Sequence, residues 1–67
     1  MNRKLIELRG EKSREEVSQA LGISLSALAM YEQGQRIPRD EIKKKMAAYY
    51  GISIEALFEI LMKEAIP

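Results

Sequence analysis

This 67-residue chain has no cysteine, no histidine and no tryptophan. Without thiols there is no disulfide staple and no thiolate metal site. Without imidazole the commonest acid–base group at neutral pH is missing. Asp40 is the single aspartate and the glutamates are scattered, so neither a catalytic dyad nor a metal cluster can be assembled at workable spacing. No enzyme, cofactor, metal or small-molecule ligand is expected. No apolar run approaches the length of a membrane span, and the N-terminus lacks the apolar core of a secretion signal. The expected location is therefore the cytoplasm, without membrane contact.

A chain this short is expected to form a single domain over residues 1–67. It can bury only about 60% of the surface its unfolded form exposes, so a partner surface would add to a marginal stability. The net charge is only +1, but it is unevenly spread. Ten lysines and arginines against seven acidic residues leave residues 1–45 at +3 and residues 46–67 at −2. A basic front suited to phosphates and a back used otherwise fit this distribution, as does a mixed solvated surface.

Five short helices are predicted. The first runs from about Asn2 to Arg9, with Leu5 and Leu8 as its apolar stripe and Gly10 as its stop. Ser13 opens the second, and Glu16 three residues later completes a capping box; Val17, Ala20 and Leu21 form its buried face. Gly22 supplies a turn at positive φ, Ile23 plugs it, and Ser24 caps the third helix, which ends near Gln33 before Gly34 and Pro38. The fourth spans roughly Arg39 to Tyr50 with Ile42, Met46, Ala47 and Tyr50 inward; of the adjacent Tyr49 and Tyr50, only one is expected to face the core. Gly51 ends it, Ser53 caps the fifth, and Ile54, Leu57, Phe58 and Leu61 form the last stripe. Nothing alternates with period two, so no sheet is expected.

Residues 13–33 thus read as two helices folded around Gly22, the helix-turn-helix arrangement. Stepping about 100° per residue from a core-facing Leu28 turns Tyr31 and Ser24 inward and leaves Glu32 at the edge. Ser26, Ala29, Met30 and Gln33 fall on the outer arc, and the first turn adds Leu25. A plain helical hairpin would place Lys and Glu on that arc. It has neither, which favours the helix-turn-helix.

The stretch Leu21-Gly22-Ile23-Ser24, the pair Tyr31-Glu32, then Gly34, Arg36 and Pro38 resemble the lambda-repressor-like regulators of Cro/cI and xenobiotic-response-element type. The continuations Pro38-Arg39-Asp40-Glu41-Ile42-Lys43 and Tyr50-Gly51-Ile52-Ser53 look like the small phage and Gram-positive members. Nearly the whole chain is covered. The resemblance implies an all-α, five-helix DNA-binding domain, usually dimeric, acting in transcription as repressor or activator. Helices two and three form the helix-turn-helix, and helix three enters the major groove of double-stranded DNA.

Carried over residue by residue, the resemblance makes Leu25, Ser26, Ala29 and Met30 base-facing, with Ser24 at the start of the same helix. It places Arg14 where the family often has glutamine, and Gln33, Gln35, Arg36 and Arg39 in the backbone-touching loop. Ser18 stands where the family prefers alanine, and the link Gly10-Glu11-Lys12 is about two residues shorter than usual. Alanine and methionine can touch a thymine methyl but cannot form the bidentate bonds that discriminate guanine or adenine. Specificity is then expected from Arg14, Ser26, Gln33 and DNA shape. Lys43-Lys44-Lys45 reads as a solvated face, and Glu32 is a candidate partner for Arg9.

Near the C-terminus, Ile60, Met62 and Ile66 are surplus apolar groups if Leu57, Phe58 and Leu61 seal the helix of about 53–65. With Phe58 and Leu61 they are the expected homodimer seam, setting two recognition helices about one DNA turn, ~34 Å, apart; a helix wrapped more deeply into the core is the alternative. A second reading is a protein-interaction module on the same fold, an antitoxin or a subunit of a regulatory complex, with Leu25, Ala29 and Met30 as its patch. A third is a DNA-binding fragment of a longer protein ending at Pro67.

Overall fold

Short polar side chains start four of the helices. Asn2 Oδ1 accepts the Leu5 N–H at 3.0 Å and opens α1 (Arg3–Arg9). Ser13 Oγ accepts the Glu16 N–H at 3.1 Å and opens α2 (Arg14–Leu21), the serine half of the expected capping box. Ser24 Oγ accepts the Ala27 N–H at 3.0 Å before α3 (Leu25–Glu32), and Ser53 Oγ accepts the Ala56 N–H at 3.0 Å before α5 (Ile54–Ala65). Such caps contribute about 1 kcal/mol each. α4 (Asp40–Tyr50) has no side-chain cap and relies on Asp40 and Glu41 in its first turn to complement the helix dipole. This computed structural model describes the backbone of residues 2–65 and the side chains of residues 2–62, and these contain five helices and no strand.

Two tight turns set the direction of α3. After α2, Gly22 lies at φ 70° and the N–H groups of Gly22 and Ile23 donate to the carbonyls of Gln19 and Ser18. After α3, Gly34 lies at φ 75°, and Gly34 and Gln35 donate to Tyr31 and Met30. Both are Schellman closures, which need a left-handed residue that glycine adopts without a Cβ clash.

Leu5, Val17, Leu21, Leu28, Met46, Leu57 and Leu61 meet in one core with Tyr31 and Ala47, so every helix contributes. Several inward assignments shift. On α2 the third buried residue is Ser18 rather than Ala20, which is exposed. The Ser18 hydroxyl satisfies itself by donating to the Glu15 carbonyl at 3.0 Å. Ser24 is exposed rather than inward, because its side chain is used in capping. On α5 Leu57 and Leu61 are buried in the core and Ile60 packs against it, while Ile54 and Phe58 stand exposed on the outer side. α5 packs against α1 and α4, and Ile54 and Phe58 are left outside that contact.

Tyr49 and Tyr50 both pack against the core margin, rings edge-to-face with centroids 5.5 Å apart. The expectation that one of them turns away fails because Lys12 covers the outer one, its Nζ 4.6 Å from the Tyr49 ring centroid and 3.1 Å from the Tyr49 hydroxyl. The Tyr50 hydroxyl is buried without a hydrogen-bond partner among the described residues. Burial, then the negative charge of Glu32, pushes its pKa up to about 12. The folded chain therefore holds this proton after the unfolded chain, with tyrosine near 10, has released it. Alkali favours the unfolded state, and stability falls as pH rises from about 10 to 12. Tyr50→Phe is expected to melt at or slightly above the wild-type temperature at pH 7, because an unsatisfied polar atom is removed. It should also lose part of the alkaline decline; melting curves at pH 7 and pH 11 check both.

Candidate nucleic-acid interface

The end of α3 is held by charge as well as by the apolar packing of Tyr31. Glu32, expected at the edge, is 0% exposed, and two guanidiniums meet its carboxylate. Arg9 Nε donates to Oε2 and Arg14 Nε donates to Oε1, both at 2.8 Å. The angular step put Glu32 at the edge of α3; it missed that the end of α1 and the start of α2 send Arg9 and Arg14 onto it. Such a carboxylate persists in the interior because it is paired and hydrogen-bonded on both oxygens. The expected Arg9–Glu32 pair is present, and Arg14 joins it.

Asn2 fixes the same corner from the other side, a role the sequence reading missed. Its N–H donates to the Glu32 carbonyl at 2.7 Å and its amide donates to the Ile60 carbonyl at 3.2 Å. One buried residue thereby ties the start of α1 to the end of α3 and to α5. The signal available was its helix-capping position; the long-range partners had none.

With Glu32 enclosed, residues 24–39 present no exposed carboxylate. Leu25 is 45% exposed in the first turn of α3, and Ser24, Ser26, Gln33 and Gln35 are exposed with it. Ala29 and Met30 are half-buried, so the outer arc is less open than the sequence reading implied. Pro38 is fully buried, while its neighbours Arg36, Ile37 and Arg39 are exposed. The proline thus anchors the loop and leaves both arginines outside. Between this loop, α3 and α4 lies an open cleft of about 440 Å³ whose lining includes Ile23, Ala27 and Ile42 together with Arg36, Arg39 and Glu41.

The residues assigned to the dimer seam separate. Leu61 is 2% exposed and belongs to the monomer core, so it cannot form a seam: the stripe that packs α5 inward runs through Leu57 and Leu61. Ile60 is partly buried against the core, and its carbonyl is taken by Asn2. Ile66 lies outside the described residues. Phe58 is 50% exposed and Ile54 42%; with half-buried Met62 they recur every fourth residue on one outer line. Ile54 was readable as part of this line from its i, i+4, i+8 spacing. Lys43, expected to be solvated, instead sits 5.4 Å from the Phe58 ring centroid and 3.6 Å from Asp40 Oδ1. Lys44 and Lys45 are exposed.

Among the described residues no helix is long and apolar enough to cross a membrane. Comparison with curated proteins and with solved structures gives no match. A helix-turn-helix family model of the Cro/cI, xenobiotic-response-element-like type matches residues 3–57, a span that takes in α1 to α4 and the first turn of α5. Five helices without a strand, α2 and α3 joined by the Gly22 turn, and this match over most of the chain agree: the chain belongs to the Cro/cI-type helix-turn-helix family, as a DNA-binding helix-turn-helix domain of lambda-repressor-like fold.

Proposed function

We propose that the protein is a dimeric transcriptional repressor that reads double-stranded DNA with α3. The observation that carries this reading is the charge of the 24–39 surface: its only acidic side chain, Glu32, is buried between two arginines, so what faces outward is Arg36, Arg39 and neutral groups. Arg36 and Arg39 there offer a polyanion two exposed cations, while the nearest carboxylates in sequence, Asp40 and Glu41, belong to the first turn of α4. In this reading Leu25, Ser26, Ala29 and Met30 meet base edges, the two apolar ends touching thymine methyls. Arg14, Ser24, Gln33, Gln35, Arg36 and Arg39 hold the sugar–phosphate backbone. Ser24 can still donate its hydroxyl proton, because capping uses only its oxygen as acceptor.

The Ile54–Phe58–Met62 line is the proposed homodimer seam. In this reading a second copy seated on α5 sets the two α3 helices about one DNA turn, ~34 Å, apart.

Unbiased selection from a random duplex library, followed by gel-shift titration of the enriched sites, tests the reading. The expected result is a pseudo-palindromic site whose half-sites lie about 10 bp apart, bound with a steep inverse dependence on salt. Equal affinity for every sequence with no steep salt dependence would overturn it. The protein-interaction alternative would use the same surface, of which Leu25 is the well-exposed apolar member, and binding to no duplex would favour it.

A further inference from the structure

We propose that Glu32 is a positioning residue that aims the Arg14 guanidinium outward as a preorganised phosphate-binding group; this rests on the DNA-binding reading above.

The two arginines on Glu32 are not equivalent. Arg9 uses Nε on Glu32 and Nη1 on the Lys12 carbonyl at 2.8 Å, and its side chain is 18% exposed. Arg14 uses only Nε, and its side chain is 33% exposed. Its two Nη groups have no acceptor among the described residues. Glu11, Glu15 and Glu16 are exposed and close in sequence, yet the guanidinium pairs with none of them among the described residues.

A guanidinium is a rigid planar fork, so fixing Nε fixes the plane and leaves the Nη edge to donate. Glu32 is itself immobilised by full burial and by Arg9 on its other oxygen. The trio of one carboxylate and two guanidiniums keeps one surplus positive charge, and the more exposed member is Arg14. Ordering the long side chain is thereby completed on folding rather than on meeting a phosphate, which is how preorganisation raises affinity. A lysine at this position keeps the charge but has no fork with which to hold Glu32 and a phosphate oxygen together.

The test is fluorescence anisotropy of the full chain on a fluorescein-labelled mixed-sequence duplex of about 20 bp, two turns, across a salt series. Arg14→Ala should weaken binding several-fold and flatten the log–log salt slope by about 0.9, the loss of one phosphate contact. Arg14→Lys should lose as much affinity as Arg14→Ala despite its charge. Glu32→Gln should weaken binding in the wild-type background and add nothing in the Arg14→Ala background. In nitrogen-15 spectra of the folded wild type, the Arg14 Nε–H should stay slow to exchange both free and on the duplex.

Wild-type binding by Arg14→Lys would overturn the proposal, since charge alone would then suffice. So would an equal loss from Glu32→Gln in both backgrounds, which would place Glu32 in the fold only. If Glu32→Gln does not fold, the lysine variant and the Nε–H signal decide alone. Undiminished binding by Arg14→Ala overturns the positioning and leaves the DNA-binding reading standing. Absence of any duplex binding by the wild type overturns both.

Discussion

Glu32→Ala is expected to cost about 3 kcal/mol of folding stability, the low end for breaking a buried ion pair by removing one partner. The low end applies because Arg9 and Arg14 retain some solvent access and can partly rehydrate. A domain of this size has roughly 3–10 kcal/mol in total, so the loss takes a large share and lowers the melting temperature by on the order of 15 °C. Three helices lose a common anchor at once, because α1 and α2 reach the end of α3 through this carboxylate. The backbone bond from Asn2 to the Glu32 carbonyl does not depend on the side chain and survives. Urea titration of both proteins measures the difference. A loss under about 1 kcal/mol, the range of exposed pairs, would show that the two bridges contribute little to the fold.

The second large effect is on assembly. Phe58→Asp is expected to leave the monomer folded, since Phe58 is half exposed and outside the core. Lys43, now over the Phe58 ring, can pair with the introduced carboxylate. In a seam built on Ile54, Phe58 and Met62, however, the substitution places a charge of the same sign on both copies within an apolar contact. Sedimentation at micromolar concentration should show a dimer for the wild type and a monomer for the variant. Affinity for a two-half-site duplex should fall by ~10²-fold, as bivalent attachment is lost. A wild type that sediments as a monomer would remove the seam from the reading. A variant that remains dimeric would move the seam to another face.

These two substitutions sit on residues that sequence periodicity handled differently. Phe58 falls on an apolar stripe, and a stripe shows that a helix has an apolar side without showing how much of that side its neighbours cover. Only with α1 and α4 in place is it visible that Leu57 and Leu61 fill the available groove while Ile54 and Phe58 overhang it. Leu61 was placed in the seam for the same reason, and its complete burial against the other helices corrects that. Ala20 and Ser18 changed places because they flank Val17 and Leu21 on opposite sides of α2, two steps of ~100° apart, and only the packing of the other helices decides which flank is covered.

What the sequence determined by itself is local. The serine caps, the glycines at positions 22, 34 and 51 and the spacing of Leu5, Val17, Leu21, Leu28, Met46 and Leu57 all act within a turn or two of chain. They sufficed to place five helices, the Gly22 turn and the resemblance to the Cro/cI family. What only the tertiary structure decided is where side chains distant in sequence converge. Asn2 meets Glu32 and Ile60, and Arg9 and Arg14 share one carboxylate 23 and 18 residues away. That convergence turns Glu32 from a surface charge into a buried anchor, and it leaves the 24–39 face without an exposed acidic group. Periodicity reports the direction in which a residue leaves its own helix; which other helix it then meets is set by how all five pack.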